Sequence, residues 1–213
     1  MLWAQHMRAC GLWIAGGHWS AQERRILARA AERIAQAFGG PENMRWALGG
    51  VLLLRRTRGG GGAMAFWPRP PWMCVLIGEA LLHQQPEWLG EVAIVHELAH
   101  IWDARTANLL CRILGRPGRI VREMVRFVQD EPGPTWYGSG IREVVRIPCP
   151  ACEEWAESVA AYLYPEYIVH LTSRPQEREW PLRAGKPDHL RPALGPRHRA
   201  YVERCFAEIR HIA

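Results

Sequence analysis

The sequence predicts an α+β domain in which several helices pack around a small mixed sheet. Hydrophobic residues make up 48% of the 213 positions and charged residues 23%, a composition typical of a globular protein with a buried core. Apolar residues recur at helical spacing in several segments, and short apolar runs predict strands between residues 51 and 78. The length favours one domain over residues 1–213. We expect its core over about residues 20–170, followed by an Arg- and Pro-rich wrap and a final helix over 172–213.

The first predicted helix begins at Ser20, because Glu23 three residues later completes a capping box. The helix runs to about Phe38, where the segment Gly39-Gly40-Pro41 ends it. Further helices are predicted over residues 87–105, 120–129, 152–164 and 197–212.

Strands are predicted over residues 51–57, 63–67 and 73–78. The four glycines at 59–62 indicate a hairpin connection or a flexible tip, so we expect the first two strands to pair. The third strand directly precedes the helix over 87–105.

The most informative motif is the pentapeptide His96-Glu-Leu-Ala-His100 in the helix over 87–105. Two residues four positions apart on a helix lie about 40° apart, so both imidazoles can bind one metal ion. Glu97 lies beside them, where it can accept a proton from a metal-bound water. Apolar side chains fill the rest of the circumference, leaving one polar stripe that carries these three residues. This pattern favours a metal site over two histidines that merely lie in a core.

A catalytic zinc site needs a third protein ligand and an open position for water. The segment 152–164, ended by Pro165, predicts a second amphipathic helix. On its wheel Glu153 borders the buried face, Glu157 lies on the same side, and Glu154 points to solvent. We expect Glu153 to be the third ligand and Glu157 to orient a ligating histidine. The alternative is a helix whose first turn is acidic only because acidic residues favour that end of the dipole.

An HExxH helix followed by a Glu-x-x-x-Glu helix resembles the gluzincin zinc metallopeptidases. The segment Glu153–Glu157 looks like the E-x-x-A-E helix of the minimal metallopeptidase domain in lethal-factor-type toxins, and His96–Asp103 is similar to that family's HExxHxxD. The resemblance covers roughly residues 70–165. It implies a zincin-like fold, a Zn²⁺ cofactor, hydrolysis of peptide bonds and a structural role for Asp103.

The same family carries a tyrosine shortly before the ligand glutamate, and the segment Pro134-Thr-Trp-Tyr137-Gly138 matches that pattern. The resemblance implies that the Tyr137 phenol donates a hydrogen bond to the oxyanion or to the leaving amine. The stretch 141–151 is extra relative to the family spacing, and a structural tyrosine in a Gly- and Pro-rich loop is the alternative.

The ligand set predicts the chemistry. Two neutral imidazoles and one carboxylate leave zinc partly positive, so that it acidifies a water and polarises a substrate carbonyl. Glu97 then acts as general base towards that water. In zincins the strand before the metal helix commonly forms the edge of the cleft, which makes residues 73–78 the expected site where substrate binds as an added strand.

Two other functions remain open. The first is a DNA-associated protease resembling the SprT-like group, in which a third histidine and a zinc ribbon follow HExxH. The net charge of +6 suits it, but Cys149 and Cys152 supply only half a ribbon and no such histidine follows His100 closely. The second is a non-catalytic zincin scaffold that acts as a binding or regulatory module, and the intact Glu97 argues against it.

The remaining features of the sequence limit the partners and the cellular location that we expect. Six scattered cysteines do not form a secreted framework, and Cys149-x-x-Cys152 predicts a local disulfide or two free thiols. No apolar run reaches the about 18 residues of a membrane span, and polar residues at 5, 6 and 8 interrupt any leader-like segment. We expect a cytoplasmic protein with a protein or peptide substrate; nucleic acid is the less favoured partner, and export by another route stays open.

Overall fold

The computed structural model combines helices with one small sheet. It describes residues 2–15, 18–56, 63–69, 72–84, 86–108, 111, 116–129, 131, 133–134, 149–168 and 194–211. The helices are α1 (Leu2–Ala9), α2 (Ala21–Phe38), α3 (Pro41–Leu48), α4 (Glu79–Leu82), α5 (Trp88–Arg105), α6 (Arg119–Val128), α7 (Pro150–Leu163) and α8 (Pro196–Arg210). The strands are β1 (Leu12–Ala15), β2 (Val51–Arg56), β3 (Ala63–Arg69) and β4 (Trp72–Gly78). Within these ranges, no helix is long and apolar enough to cross a membrane.

The four strands form one mixed sheet in the order β1-β2-β4-β3. β1 pairs with β2 and β2 pairs with β4 in parallel, whereas β3 pairs with β4 in the antiparallel sense. The prediction that the chain combines several helices with one small mixed sheet is therefore confirmed. The finer assignment, a zincin-like fold, stays a prediction.

The strand order corrects two predictions. β2 and β3 do not pair as a hairpin, because β4 lies between them and bonds to both. For the same reason residues 73–78 are not the edge of the sheet: β4 is an interior strand and β3 is at the end. The nearly continuous apolar run of β4 is typical of a strand covered on both faces. The glycines at 59–62 lie outside the described residues.

Helix α2 has the predicted start and end. The Ser20 hydroxyl accepts a hydrogen bond from the Glu23 amide at 3.2 Å, and the Ser20 amide donates to the Glu23 carboxylate at 2.6 Å. Gly39 ends the helix at φ 86°, a left-handed conformation that favours glycine. Helix α3 follows at once and was not predicted, because Pro41 begins a new helix as well as ending the old one.

The chain forms two compact units, residues 1–105 with 206–213 and residues 106–205. A single domain over 1–213 stays a prediction. In the first unit, the buried rings of Phe38, Trp102 and Phe206 contact one another with centroids 4.7 to 5.0 Å apart. Such aromatic triads contribute through both the buried area and the edge-to-face geometry.

We expect Phe206→Ala to lower the free energy of unfolding by about 3–5 kcal/mol, because it opens a cavity between two large rings. Urea denaturation followed by circular dichroism measures this loss. Phe127→Ala is the matched control, since the Phe127 ring is 39% exposed. Equal losses in the two variants would show that the aromatic triad is not a centre of stability.

The second unit contains α6, α7 and the first part of α8. The buried Tyr201 hydroxyl donates a hydrogen bond to the Ile120 carbonyl at 2.7 Å, and the Tyr201 ring meets Trp155 edge-on. Burial is the main cause that raises the pKa of the Tyr201 phenol, which therefore stays neutral and donates. The predicted helices over 120–129, 152–164 and 197–212 are confirmed, each within two residues of its bounds. The predicted wrap lies largely outside the described residues.

Candidate metal centre

Helix α5 positions the HExxH motif and is buried around most of its circumference. A hydrogen bond from the Leu89 amide to the Pro86 carbonyl, at 3.0 Å, forms the turn that leads into the helix. Ile94, Val95, Leu98 and Ile101 are fully or almost fully buried. The predicted helix over 87–105 is thus confirmed, with one added feature on its apolar side.

That feature is Glu91, which corrects the prediction that the motif is the only polar stripe. Glu91 is buried, and its carboxylate pairs with the Arg29 guanidinium of α2 at 2.8 Å. The arginine reaches over from a neighbouring helix, and the wheel of one helix cannot reveal such a partner. A buried carboxylate is tolerated only when it is paired in this way.

The two histidines of the motif face each other across one helical turn. Their Nε2 atoms are 3.1 Å apart, and the ring planes are inclined at 78°. Two nitrogen ligands on a tetrahedral zinc ion lie about 3.3 Å apart, given Zn–N bonds of about 2.0–2.1 Å. The observed separation is therefore close to the one that a shared ion requires. Both side chains are partly exposed, which leaves access for water and substrate.

Glu153 lies in the first turn of α7 and is partly exposed, as the two histidines of α5 are. It belongs to the second unit and the histidines belong to the first, and its role as the third ligand stays a prediction. Two imidazoles and one carboxylate are a donor set that catalytic zinc uses, with the fourth position left for water. The residues present thus fit the ion that the sequence predicted.

The neighbouring Glu154 corrects another prediction. It was expected to point to solvent, but its side chain is only 16% exposed. Its Oε1 lies 2.7 Å from Nε2 of the fully buried His198. The wheel of α7 alone could not show that α8 covers this side of the helix.

Three carboxylates assigned to the centre are buried. Glu97 is 8%, Asp103 4% and Glu157 3% exposed. The Tyr167 hydroxyl donates to Glu157 Oε1 over a long 3.5 Å. Burial fits the structural role expected of Asp103 and the orienting role expected of Glu157, and both roles stay predictions. Tyr137 lies outside the described residues.

A second polar cluster, around His198, was not predicted at all. Glu131 Oε2 accepts hydrogen bonds from the backbone amides of Arg197 at 2.7 Å and His198 at 3.1 Å, and so caps the start of α8. The same oxygen lies 3.4 Å from Nδ1 of His198. The cap is 67 residues from His198 in sequence, so no local motif could have indicated it.

One further group of possible ligands lies at the start of α2. Atoms of Glu23, Glu79 and His83 lie within 4.8 Å of one another. Glu23 already serves the capping box of Ser20, and the other two side chains are exposed. The four-residue spacing of Glu79 and His83 is the only sequence feature that indicates this group.

The cysteines divide into a bonded pair and separate thiols. Cys149 and Cys152 form a disulfide, which is one of the two predicted states. Burial, and to a lesser extent the charge of Glu32, raises the pKa of the Cys10 thiol to about 11, and burial also raises that of Cys74. These two thiols are therefore poor nucleophiles and poor metal ligands at neutral pH.

No protein-family model, no curated protein and no solved structure matches the chain. No relative therefore assigns a ligand set or a reaction to these residues. The resemblance to gluzincins rests on the two helical motifs, His96–Asp103 and Glu153–Glu157.

Proposed function

We propose that this protein is a zinc-dependent endopeptidase in which His96, His100 and Glu153 hold the metal. The observation that carries the proposal is the 3.1 Å separation of the two Nε2 atoms on a buried helix. Glu97 is placed between the two histidines along that helix. The two imidazoles are partly exposed, as a catalytic metal site open to water requires.

Different residues of the chain have separate proposed roles in hydrolysis. When bound, zinc supplies Lewis acidity that acidifies a water and polarises a carbonyl. Glu97 takes the proton from the attacking water and delivers it to the leaving amine. Tyr137 is the proposed donor to the developing oxyanion. Glu157 and Asp103 are proposed to hold the ligating imidazoles in one orientation towards the metal.

The proposed substrate is an extended peptide. Within the described residues β3 is one of the two end strands of the sheet, and α5 packs against both β3 and β4. A peptide that pairs with the edge of β3 would gain main-chain hydrogen bonds and run alongside the motif helix. We therefore propose that the substrate strand adds to β3 and not to residues 73–78.

The test is metal-dependent cleavage. Protein stripped by a chelator should cleave nothing in a diverse peptide mixture, and one equivalent of zinc should restore cleavage, read by mass spectrometry of the products. His100→Ala should abolish both zinc retention and cleavage, because two remaining ligands hold zinc poorly. His18→Ala, which removes an exposed histidine outside both groups of possible ligands, should retain both. Zinc-loaded protein that cleaves no peptide would overturn the proposal.

The DNA-associated protease gains nothing from the described residues. Cys149 and Cys152 are joined to each other, and disulfide sulfurs do not serve as the thiolate ligands of a zinc ribbon. The non-catalytic scaffold is distinguished from the proposed enzyme only by activity. The cytoplasmic location stays a prediction.

A further inference from the structure

The disulfide Cys149–Cys152 lies at the start of the helix that carries the proposed third ligand. Cys149 is the N-cap of α7, and Glu153 directly follows Cys152. The amides of Cys152 and Glu153 both donate to the Cys149 carbonyl, at 3.0 and 3.2 Å. The Cys152 amide also lies 3.3 Å from the Cys149 sulfur. One residue thus holds the turn from which Glu153 projects.

This first turn depends on the covalent link more than most helix starts do. Pro150 at the first helical position is compatible with a helix start, since the amide that it lacks would have no partner inside the helix. The N-cap is less favourable, because cysteine is not among the residues that cap helices well, which are Ser, Thr, Asp and Asn. Without the disulfide, the turn would rest on the few hydrogen bonds to Cys149.

The pair is also accessible to reagents in solution. Cys149 and Cys152 are both partly exposed. Cys10, Cys74 and Cys205 are buried. A reductant in solution therefore meets the disulfide without any unfolding of the chain.

We propose that Cys149 and Cys152 form a redox-active disulfide that is reduced by dithiols and that sets how tightly Glu153 binds zinc. This inference rests on the proposed function. One sulfur of the dithiol attacks a sulfur of the pair, the bond between Cys149 and Cys152 breaks, and a mixed disulfide forms. The second sulfur of the dithiol then attacks the dithiol sulfur of this mixed disulfide, and the protein sulfur is released. The reductant leaves as a disulfide, and its two electrons and two protons end on the two cysteines as thiols.

Reduction weakens the metal site because it loosens the turn before Glu153. A ligand held in one orientation binds zinc more tightly than one that must be ordered on binding. Loss of the partners that orient a ligand typically lowers metal affinity by about 10–100-fold. We expect reduction to lower the zinc affinity of the full chain about tenfold, within that range.

The experiment compares zinc affinity in the two redox states. The full-length protein is treated with dithiothreitol, freed of it anaerobically because dithiols bind zinc, and titrated against a chelating indicator. Alkylation of Cys149 and Cys152, mapped by mass spectrometry, reports reduction independently of metal. Wild type should bind zinc about tenfold more weakly after reduction. The double variant Cys149→Ser/Cys152→Ser should bind weakly before and after treatment.

A matched control and three outcomes separate this inference from the proposed function. Cys111→Ser, which removes a partly exposed cysteine outside the pair, should respond like wild type. Equal or tighter zinc binding after reduction would overturn the inference and leave the zinc site intact. Failure of dithiothreitol to make Cys149 and Cys152 alkylatable would overturn it as well. Absence of zinc binding in both states would overturn the inference and the proposed function together.

Discussion

Glu97→Gln is expected to abolish peptide hydrolysis while one zinc per chain stays bound. The amide keeps the size of the side chain but cannot accept the proton of the attacking water. A positioned general base contributes about 10²–10⁴-fold to the rate, so kcat should fall by at least about 100-fold. The measurement is kcat on a cleaved peptide, together with the zinc content of the purified variant.

Glu91→Gln is the matched control for this variant. It makes the same substitution at another buried glutamate of α5, one that pairs with Arg29. We expect Glu91→Gln to lower stability, since it breaks a charged pair, and to keep hydrolysis per folded molecule. Glu97→Gln protein that still cleaves at the wild-type rate would contradict the assigned mechanism.

The adjacent residues Glu153 and Glu154 are expected to respond oppositely to the same substitution. Glu153→Gln removes a charged ligand, and zinc affinity should fall by more than about 100-fold, beyond what loss of an outer partner costs. The stability of the metal-free protein should change by less than about 1 kcal/mol, as for most partly exposed sites. Competition titration and urea denaturation measure the two quantities.

Glu154→Gln should do the reverse. It weakens the contact with the buried His198, and hydrogen bonds to charged groups contribute about 1.5–3 kcal/mol. We therefore expect a lower free energy of unfolding and a zinc affinity close to that of wild type. If Glu154→Gln loses zinc and Glu153→Gln retains it, the ligand assignment on α7 is wrong.

Local patterns in the sequence predicted the five helices that have ten or more residues, but not the shorter α1, α3 and α4. The capping box of Ser20 and Glu23, the glycine at 39 and the apolar face of residues 87–105 each act within a few residues. Each such pattern specifies a local conformation, and the folded chain adopts that conformation. Helix bounds were therefore predicted to within a few residues.

Pairings between distant segments were not predictable in this way. The position of β4 between β2 and β3 depends on how strands far apart in sequence meet, and alternation of side chains does not encode that order. The contact of Glu154 with His198 likewise joins residues 44 positions apart. A helical wheel gives the angle of a side chain and says nothing about which helix covers it.

In the candidate site, too, features set within one helix were predictable from the sequence. The His96 and His100 imidazoles face each other because residues four apart share one helix face, and this was predicted from spacing alone. Glu153 was chosen over Glu154 from its angle on a second helix, and its role as a ligand stays a prediction. The burial of Asp103 and Glu157 agrees with their expected roles. Tyr137 was inferred only from a resemblance.

The most direct test of the zinc centre is X-ray absorption at the zinc K edge on protein loaded with one equivalent of the metal. A centre of two histidines and one glutamate should give nitrogen and oxygen neighbours at about 2.0–2.2 Å, with outer-shell scattering from two imidazoles. Glu97→Gln protein should give the same spectrum. A sulfur neighbour at about 2.3 Å, or scattering from fewer than two imidazoles, would contradict a centre built from His96, His100 and Glu153.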